Sequence, residues 1–460
     1  MKGKRWQLWR QRLAGMAPAL WGHPLSRRAL LALPLWIASL ATGLVAVGYT
    51  RLFGWAEALL QGALHQHFWY IFLLSPLFYL LSWVCVQWLA PAARGSGIPQ
   101  VMAAIDLATP AHDQKINRLL SLRIAAVKVL SSVGMVLGGG AIGREGPTIQ
   151  IAGSLFRTVN RLIPASWPRL SSQSYLLTGA AAGLAAAFNT PLGGLVFAVE
   201  ELARVHVRFF RTALFTAIII AGLTAQALLG PYLYLGYPDV HGLSFRILLA
   251  VLLVGALAGL AGSLLCTAIL RVMAWKRTAP RFMRPLYVLV AGLLMAALAF
   301  YVNPSVLGSG KELINRLLFT PDKHCGADMV LLRFLGPLLC FNTGAAGGVF
   351  APSLAGGAAI GGWMASLFDV LGSKANILVL AGMVGFLTGV TRTPFTSAIL
   401  VLEMTDRHSV IFHLLLAAMV ANMAASLIDK RSLYEHLKGG YKVEAGADAD
   451  TEPEEEPERE

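Results

Sequence analysis

The chain has 460 residues, of which 56% are hydrophobic and only 13% charged, and its formal net charge is +14. A soluble globular domain carries roughly 25% charged residues, so a chain this poor in charge cannot cover a water-facing surface of its own size. Composition excludes the soluble classes, gives no reason to expect a nucleic-acid partner, and makes the lipid bilayer the solvent.

The first 28 residues form a basic arm with Lys2, Lys4, Arg5, Arg10, Arg12, Arg27 and Arg28. That is long for the charged region of a signal peptide, and the apolar stretch 29–49 behind it is long enough to span. A retained first helix is expected. Further apolar stretches lie near 69–90, 122–142, 175–199, 213–235, 245–270, 285–303, 329–342, 352–371, 376–402 and 410–428. Several are short or broken by Gly and Pro and need not be simple spans. Basic clusters fall between them: Lys115 to Arg123, Arg157 to Arg169, Arg204 with Arg208 and Arg211, Arg271 to Arg284, and Lys430 to Lys442. The loop from Pro231 to Phe245 has no Lys or Arg. By the positive-inside bias, most clusters and both termini are expected in the cytoplasm. Residues 441–460, rich in Asp, Glu and Pro, read as an acidic disordered tail. Cys85, Cys266, Cys325 and Cys340 have neither metal-ligand nor disulfide-framework spacing. Neither a metal nor a cofactor is expected.

Three landmarks recur in order. Gly95-Ser96-Gly97 returns as Gly308-Ser309-Gly310. The run ending in Gly143-Arg144-Glu145-Gly146-Pro147 returns as Gly347-Gly348-Val349-Phe350-Ala351-Pro352. Thr190-Pro191 followed by Glu200 matches Thr393-Pro394 followed by Glu403 with identical spacing. The expected fold is therefore an all-α polytopic membrane protein of two inverted-topology repeats of broken and tilted helices, 29–235 and 236–440, between the basic arm and the acidic tail.

In such folds the broken helices of the two halves meet near the bilayer midplane. Gly and Pro together end one element and start a helix there. A helix start offers free amides and a partial positive charge, so it binds an anion without Lys or Arg. A full charge at the bilayer centre would cost a few kcal/mol on the lenient scale. Backbone amides and hydroxyls give a weaker, reversible site. Glu145, at such a start, could occupy the site like an anion when ionised and swing away when protonated. One group could thus gate anions and carry a proton. Arg144 beside it either attracts anions to the mouth or braces the loop.

Gly95-Ser96-Gly97-Ile98-Pro99, Gly143-Arg144-Glu145-Gly146-Pro147 and Gly348-Val349-Phe350-Ala351-Pro352 resemble, in order, the three signature segments of the CLC family of chloride channels and chloride/proton antiporters. The resemblance runs from about residue 30 to 440. It implies a homodimer with one anion pathway in each subunit. Ser96 and Tyr434 would offer hydroxyls to the central anion, completed by the amides of Val349 and Phe350. Glu145 would be the external gate, with the amides of Arg144, Gly146 and Ala351 near the outer site. Tyr441 is the rival tyrosine, in a Gly-Gly-Tyr-Lys run that reads as exposed tail.

Glu200 and Glu201, adjacent on one helix, point about 100° apart. Glu200 pairs with Glu403, which suggests one structural role used twice, bonding to nearby helix-start amides. Glu201 pairs with Met404, so its acidity belongs to the first half alone. In the family an acidic residue there resembles the internal proton glutamate of antiporters, whereas channels commonly carry an apolar one. Proton-coupled exchange is expected, with a passive chloride channel as the alternative. A boundary ion pair of Glu201 with Arg204 or Arg208 is the structural reading of the same residue.

Ser96 resembles the chloride-preferring members, while Pro at that position goes with nitrate preference. Bromide and nitrate are further candidate anions. A fluoride exporter would depart at Ser96, Gly146-Pro147 and Tyr434, and none does. Gln100 stands where a Glu often follows, and Ala346 where a Pro often precedes Gly347-Gly348. A membrane enzyme is the remote alternative. The histidines form no Ser/His dyad or His-Glu zinc motif, so no catalytic residue is expected. A bacterial inner membrane, with chloride and protons as the transported species, fits the whole.

Overall fold

A computed structural model describes residues 24–446, apart from 110–111, 165, 203–210, 231–233 and 242–244. Arg204 and Arg208 lie outside these. The described residues form seventeen α-helices. In chain order they are α1 Pro24–Gln66, α2 Ile71–Leu89, α3 Ile98–Asp106, α4 Leu122–Leu137, α5 Glu145–Leu162 and α6 Ser172–Phe188. Then come α7 Pro191–Phe197, α8 Arg211–Leu229, α9 Phe245–Thr278, α10 Met283–Tyr301, α11 Lys311–Phe319 and α12 Ala327–Phe341. The chain ends in α13 Phe350–Leu367, α14 Ser373–Thr391, α15 Pro394–Thr405, α16 Ile411–Ser426 and α17 Leu433–Glu444. Eight helical segments are long and apolar enough to cross a membrane. The nine residues of α3, and likewise of α11, reach only part of the way.

The helices α1–α8 and α9–α16 repeat one another in order. Helices α2 and α10 are both 19 residues long, α3 and α11 both 9, and α5 and α13 both 18. The backbone repeats too. Arg144 before α5 has φ −95° and ψ −11°, and Val349 before α13 has φ −97° and ψ 1°. The halves run in opposite directions. The C-terminal end of α1 lies at α11, where Gln61 donates to Glu312. The C-terminal end of α9 lies instead at the end of α12 and at α17, where Lys276 donates to the Asn342 carbonyl and Arg277 approaches Gly440.

Two of the expected apolar stretches are each two helices. The stretch 175–199 breaks at Asn189 and 376–402 at Arg392. Both residues are left-handed (φ 57° and 60°), and each is followed by Thr-Pro, which restarts a helix in a new direction. Helix α1 runs to Gln66, well beyond the expected 29–49, and at 43 residues is about 65 Å long. It outlasts the bilayer because Phe53, Ala56 and Leu60 continue its buried face past Tyr49. The boundary expected at 441 falls inside α17, which continues to Glu444.

Without a hydrophobic drive between helices in lipid, close packing holds the spans together. Helices α13 and α14 touch backbone to backbone. A Cβ on Gly357 would lie 2.1 Å from the Gly382 carbonyl oxygen, so only glycine fits the crossing.

Candidate functional site

The starts of α5 and α13 abut at the centre of the molecule. Gly143 N–H donates to the Gly348 carbonyl at 2.7 Å, and Gly348 N–H returns the bond at 2.9 Å. The Gly95 N–H donates to the Ala345 carbonyl at 2.8 Å, tying the Ser96 turn to the same place. Three helix starts, α3, α5 and α13, therefore converge, and their first amides have no intrahelical partner.

Ser96 is buried with its hydroxyl against Gly146. A Cβ there would lie 2.2 Å from Ser96 Oγ, so the second residue of α5 must be glycine for the serine to approach. The hydroxyl of Tyr434, on α17, is wholly buried and faces Ser96. Neither hydroxyl makes a hydrogen bond of ordinary geometry. Val349, Phe350 and Ala351, all buried, open α13 beside them. The first residue of α5 is Glu145, a carboxylate that is only 1% exposed. Its own amide and that of Ala351 face it. The structure thus brings together Ser96, Arg144, Glu145, Gly146, Val349, Phe350, Ala351 and Tyr434.

Beyond Glu145 lies a cavity of about 310 Å³, lined among others by Glu57, Arg144, Glu145, Tyr234, Ser309 and Lys311. The Tyr234 hydroxyl is 3.5 Å from Glu145 Oε1, and Lys311 Nζ stands 4.7 Å above the Tyr234 ring. Phe188 packs on Tyr234 and Phe350 at once, with ring centroids 5.1 and 5.4 Å away. None of Glu57, Phe188, Tyr234 or Lys311 stands out in the sequence. Lys311 carried the one available signal, directly following the repeated Gly308-Ser309-Gly310.

Glu200 and Glu403 lie away from this centre, at the starts of α15 and α7. After α7 the helix widens into a π-turn, Ala198–Leu202, which carries both first-half glutamates. Such turns redirect side chains. Glu200 accepts from the amides of Phe395 and Thr396 at 3.1 and 2.6 Å and from the Thr396 hydroxyl at 2.7 Å. Glu403 accepts from the amides of Leu192 and Gly193 at 3.1 and 2.8 Å. Glu201 takes no part in this exchange of caps, and its Oε1 atom is buried.

The turn carrying Ser96 is braced by a group that sequence reasoning passed over. Lys128, fully buried on α4, donates to the Ala93, Arg94 and Gly95 carbonyls at 2.9, 3.3 and 2.7 Å. Gln100 donates its amide to the Ala92 and Arg94 carbonyls at 3.1 and 2.7 Å, which a carboxylate could not do. Ala346 N–H donates to Ser131 Oγ at 3.0 Å, a bond that a proline would forfeit.

Tyr441 is not in an exposed tail. It is buried on α17, under the Arg94 guanidinium 4.9 Å from its ring centroid. Asp106 binds Lys438 and Lys442, each at 3.1 Å, and with the Arg94–Glu444 ion pair seats the helix that carries Tyr434. Among the described residues, no group of three His, Cys, Asp or Glu side chains could hold a metal ion.

The family described as voltage gated chloride channel matches residues 78–426. The H(+)/Cl(-) exchange transporter ClcA of Salmonella arizonae is 30% identical over 419 residues, covering 86% of this chain and 85% of that protein. ClcA of Klebsiella pneumoniae is 30% identical over 415 residues, with the same coverage. Among solved structures, a slow cyanobacterial Cl-/H+ antiporter superposes with a TM-score of 0.78 at 24% identity, over 92% of this chain and 99% of that one. A CLC-type fluoride/proton antiporter superposes with a TM-score of 0.74 at 20% identity, over 90% of this chain and 99% of that one.

Proposed function

The chain belongs to the voltage-gated chloride channel (CLC) family, and on that premise we propose that it exchanges chloride for protons across a bacterial inner membrane. The curated relatives are named as exchangers of these two ions. The observation that carries the proposal is the position of Glu145. It is a buried carboxylate at a helix start, between the 310 Å³ cavity and the paired hydroxyls of Ser96 and Tyr434. Ionised, it sits where amides attract an anion and closes the path to chloride. Protonated, it loses that attraction and yields its place, so chloride passage and proton uptake share one group.

Chloride would meet Ser96, Tyr434 and the amides of Val349 and Phe350 centrally, and those of Gly146 and Ala351 farther out. Glu201 would supply protons from the cytoplasmic side, past Tyr434. Both termini are cytoplasmic in this reading, and the cavity faces outward. The chain would work as a homodimer. Bromide and nitrate would share the pathway.

The test is made on purified protein in liposomes, where an imposed chloride gradient should drive protons uphill. Glu145→Gln, which fixes the gate in its neutral form, should keep chloride flux and lose proton movement. Chloride flux without proton movement in the unmodified protein would establish the passive channel instead. Proton coupling that survives Glu145→Gln would remove Glu145 from the mechanism.

A further inference from the structure

Tyr234 lies in the stretch between α8 and α9, which carries no motif, yet it is only 5% exposed and lines the cavity at Glu145. Its place is over-determined. The Leu235 N–H donates to the Met404 carbonyl at 3.2 Å, fixing the backbone to α15. Phe188 meets the ring edge-on at 5.1 Å with the planes at 82°, and Lys311 Nζ covers its face at 4.7 Å. What these contacts hold in position is a hydroxyl 3.5 Å from Glu145 Oε1.

Resting on the reading of Glu145 as the gate, we propose that Tyr234 is a latch on that gate, a positioning residue whose hydroxyl donates to the ionised carboxylate and holds it in the closed place. A phenol next to a carboxylate donates and the carboxylate accepts, so the contact favours the charged form. When Glu145 takes a proton the contact loses its charge assistance and the side chain is released. The Lys311 ammonium over the ring makes the phenol a better donor. The other ionisable groups facing Glu145 are Arg144 beside it, Tyr49 and Glu57 on α1, Lys311 on α11, and Tyr434 on α17. Tyr234→Phe changes none of them, and it keeps the ring that Phe188 and Lys311 pack against.

Chloride flux through liposomes is measured against pH for four proteins: unmodified, Tyr234→Phe, Glu145→Gln, and both changes together. Losing a donor to the charged form lets the gate protonate at higher pH. The flux curve of Tyr234→Phe is therefore expected to move by about one pH unit to the alkaline side, the size of one hydrogen bond to a charged group. In the Glu145→Gln protein, the added Tyr234→Phe is expected to alter neither rate nor pH dependence. An unmoved curve in the single variant overturns the latch, as does an equal change in both backgrounds, which would mean that Tyr234 acts through packing or on chloride itself. Glu145→Gln alone reports on the gate, so the gate can stand while the latch falls.

Discussion

Glu200 and Glu403 cap each other's halves: the carboxylate of Glu200 closes the start of α15, and that of Glu403 closes the start of α7. Each Thr-Pro break leaves amides that no preceding turn satisfies, and within a membrane they have no water to turn to. A carboxylate from the opposite repeat supplies two acceptors at once. The exchange also fixes how the halves sit against each other, because neither helix can shift without uncapping the other.

Replacing either glutamate by alanine should therefore cost about 1–2 kcal/mol, the usual price of a lost helix cap. Thermal unfolding in detergent should show two similar losses from Glu200→Ala and Glu403→Ala, each with chloride transport retained. If Glu200→Ala were silent and Glu403→Ala severe, the reciprocity would be geometric only.

Much of this is legible in the sequence. The Thr-Pro spacing pairs Glu200 with Glu403 and leaves Glu201 facing Met404, and the signature segments point to the helix starts that converge at Glu145. What stayed hidden has physical reasons. Tyr234 reaches Glu145 across 89 residues from a loop with no helical periodicity, so only the folded chain brings them together. Lys128 looks like a stray charge in an apolar helix until its three carbonyl partners are seen. Tyr441 read as tail because Gly439 and Gly440 precede it, but the cation over its ring and the Asp106 pairs on the same helix outweigh two poor helix formers.

The π-turn gives Glu201 a separate prediction. It carries Glu200, which reaches across to α15, and next to it Glu201, which does not share that bond and has its Oε1 atom buried. Glu201→Ala should bring proton movement in liposomes down to the leak level and leave chloride flux in place. Loss of both fluxes together with a lowered melting temperature would make Glu201 a structural residue.

In the proposed reading, Ser96 sets which anion passes. Its hydroxyl lies against Gly146 and faces Tyr434, so Ser96→Pro removes a side-chain donor and a backbone N–H from the same spot. The nitrate-to-chloride flux ratio should rise several-fold, up to the tenfold that about 1.4 kcal/mol represents. An unchanged ratio would take selectivity away from Ser96.

The ion pair of Arg157 with Asp113 predicts how stability falls in acid. Arg157, 3% exposed on α5, meets Asp113 through both guanidinium nitrogens at 2.5 and 2.6 Å, whereas Asp113 is 41% exposed. The Arg157 hydrogen bonds hold the Asp113 carboxyl below its usual range. A carboxylate depressed in the folded state stabilises the fold above its unfolded pKa, about 3.9, and that stabilisation fades as pH drops through the lower folded value. Water screens the exposed partner, so the pair contributes about 1 kcal/mol rather than the several expected of a fully buried one. Asp113→Asn should lower the melting temperature at pH 7 by a few degrees, and the gap to the unmodified protein should close as the pH is taken below about 4. A gap that persists unchanged into acid would place the effect in packing around Arg157 and Ser172, not in the charge on Asp113.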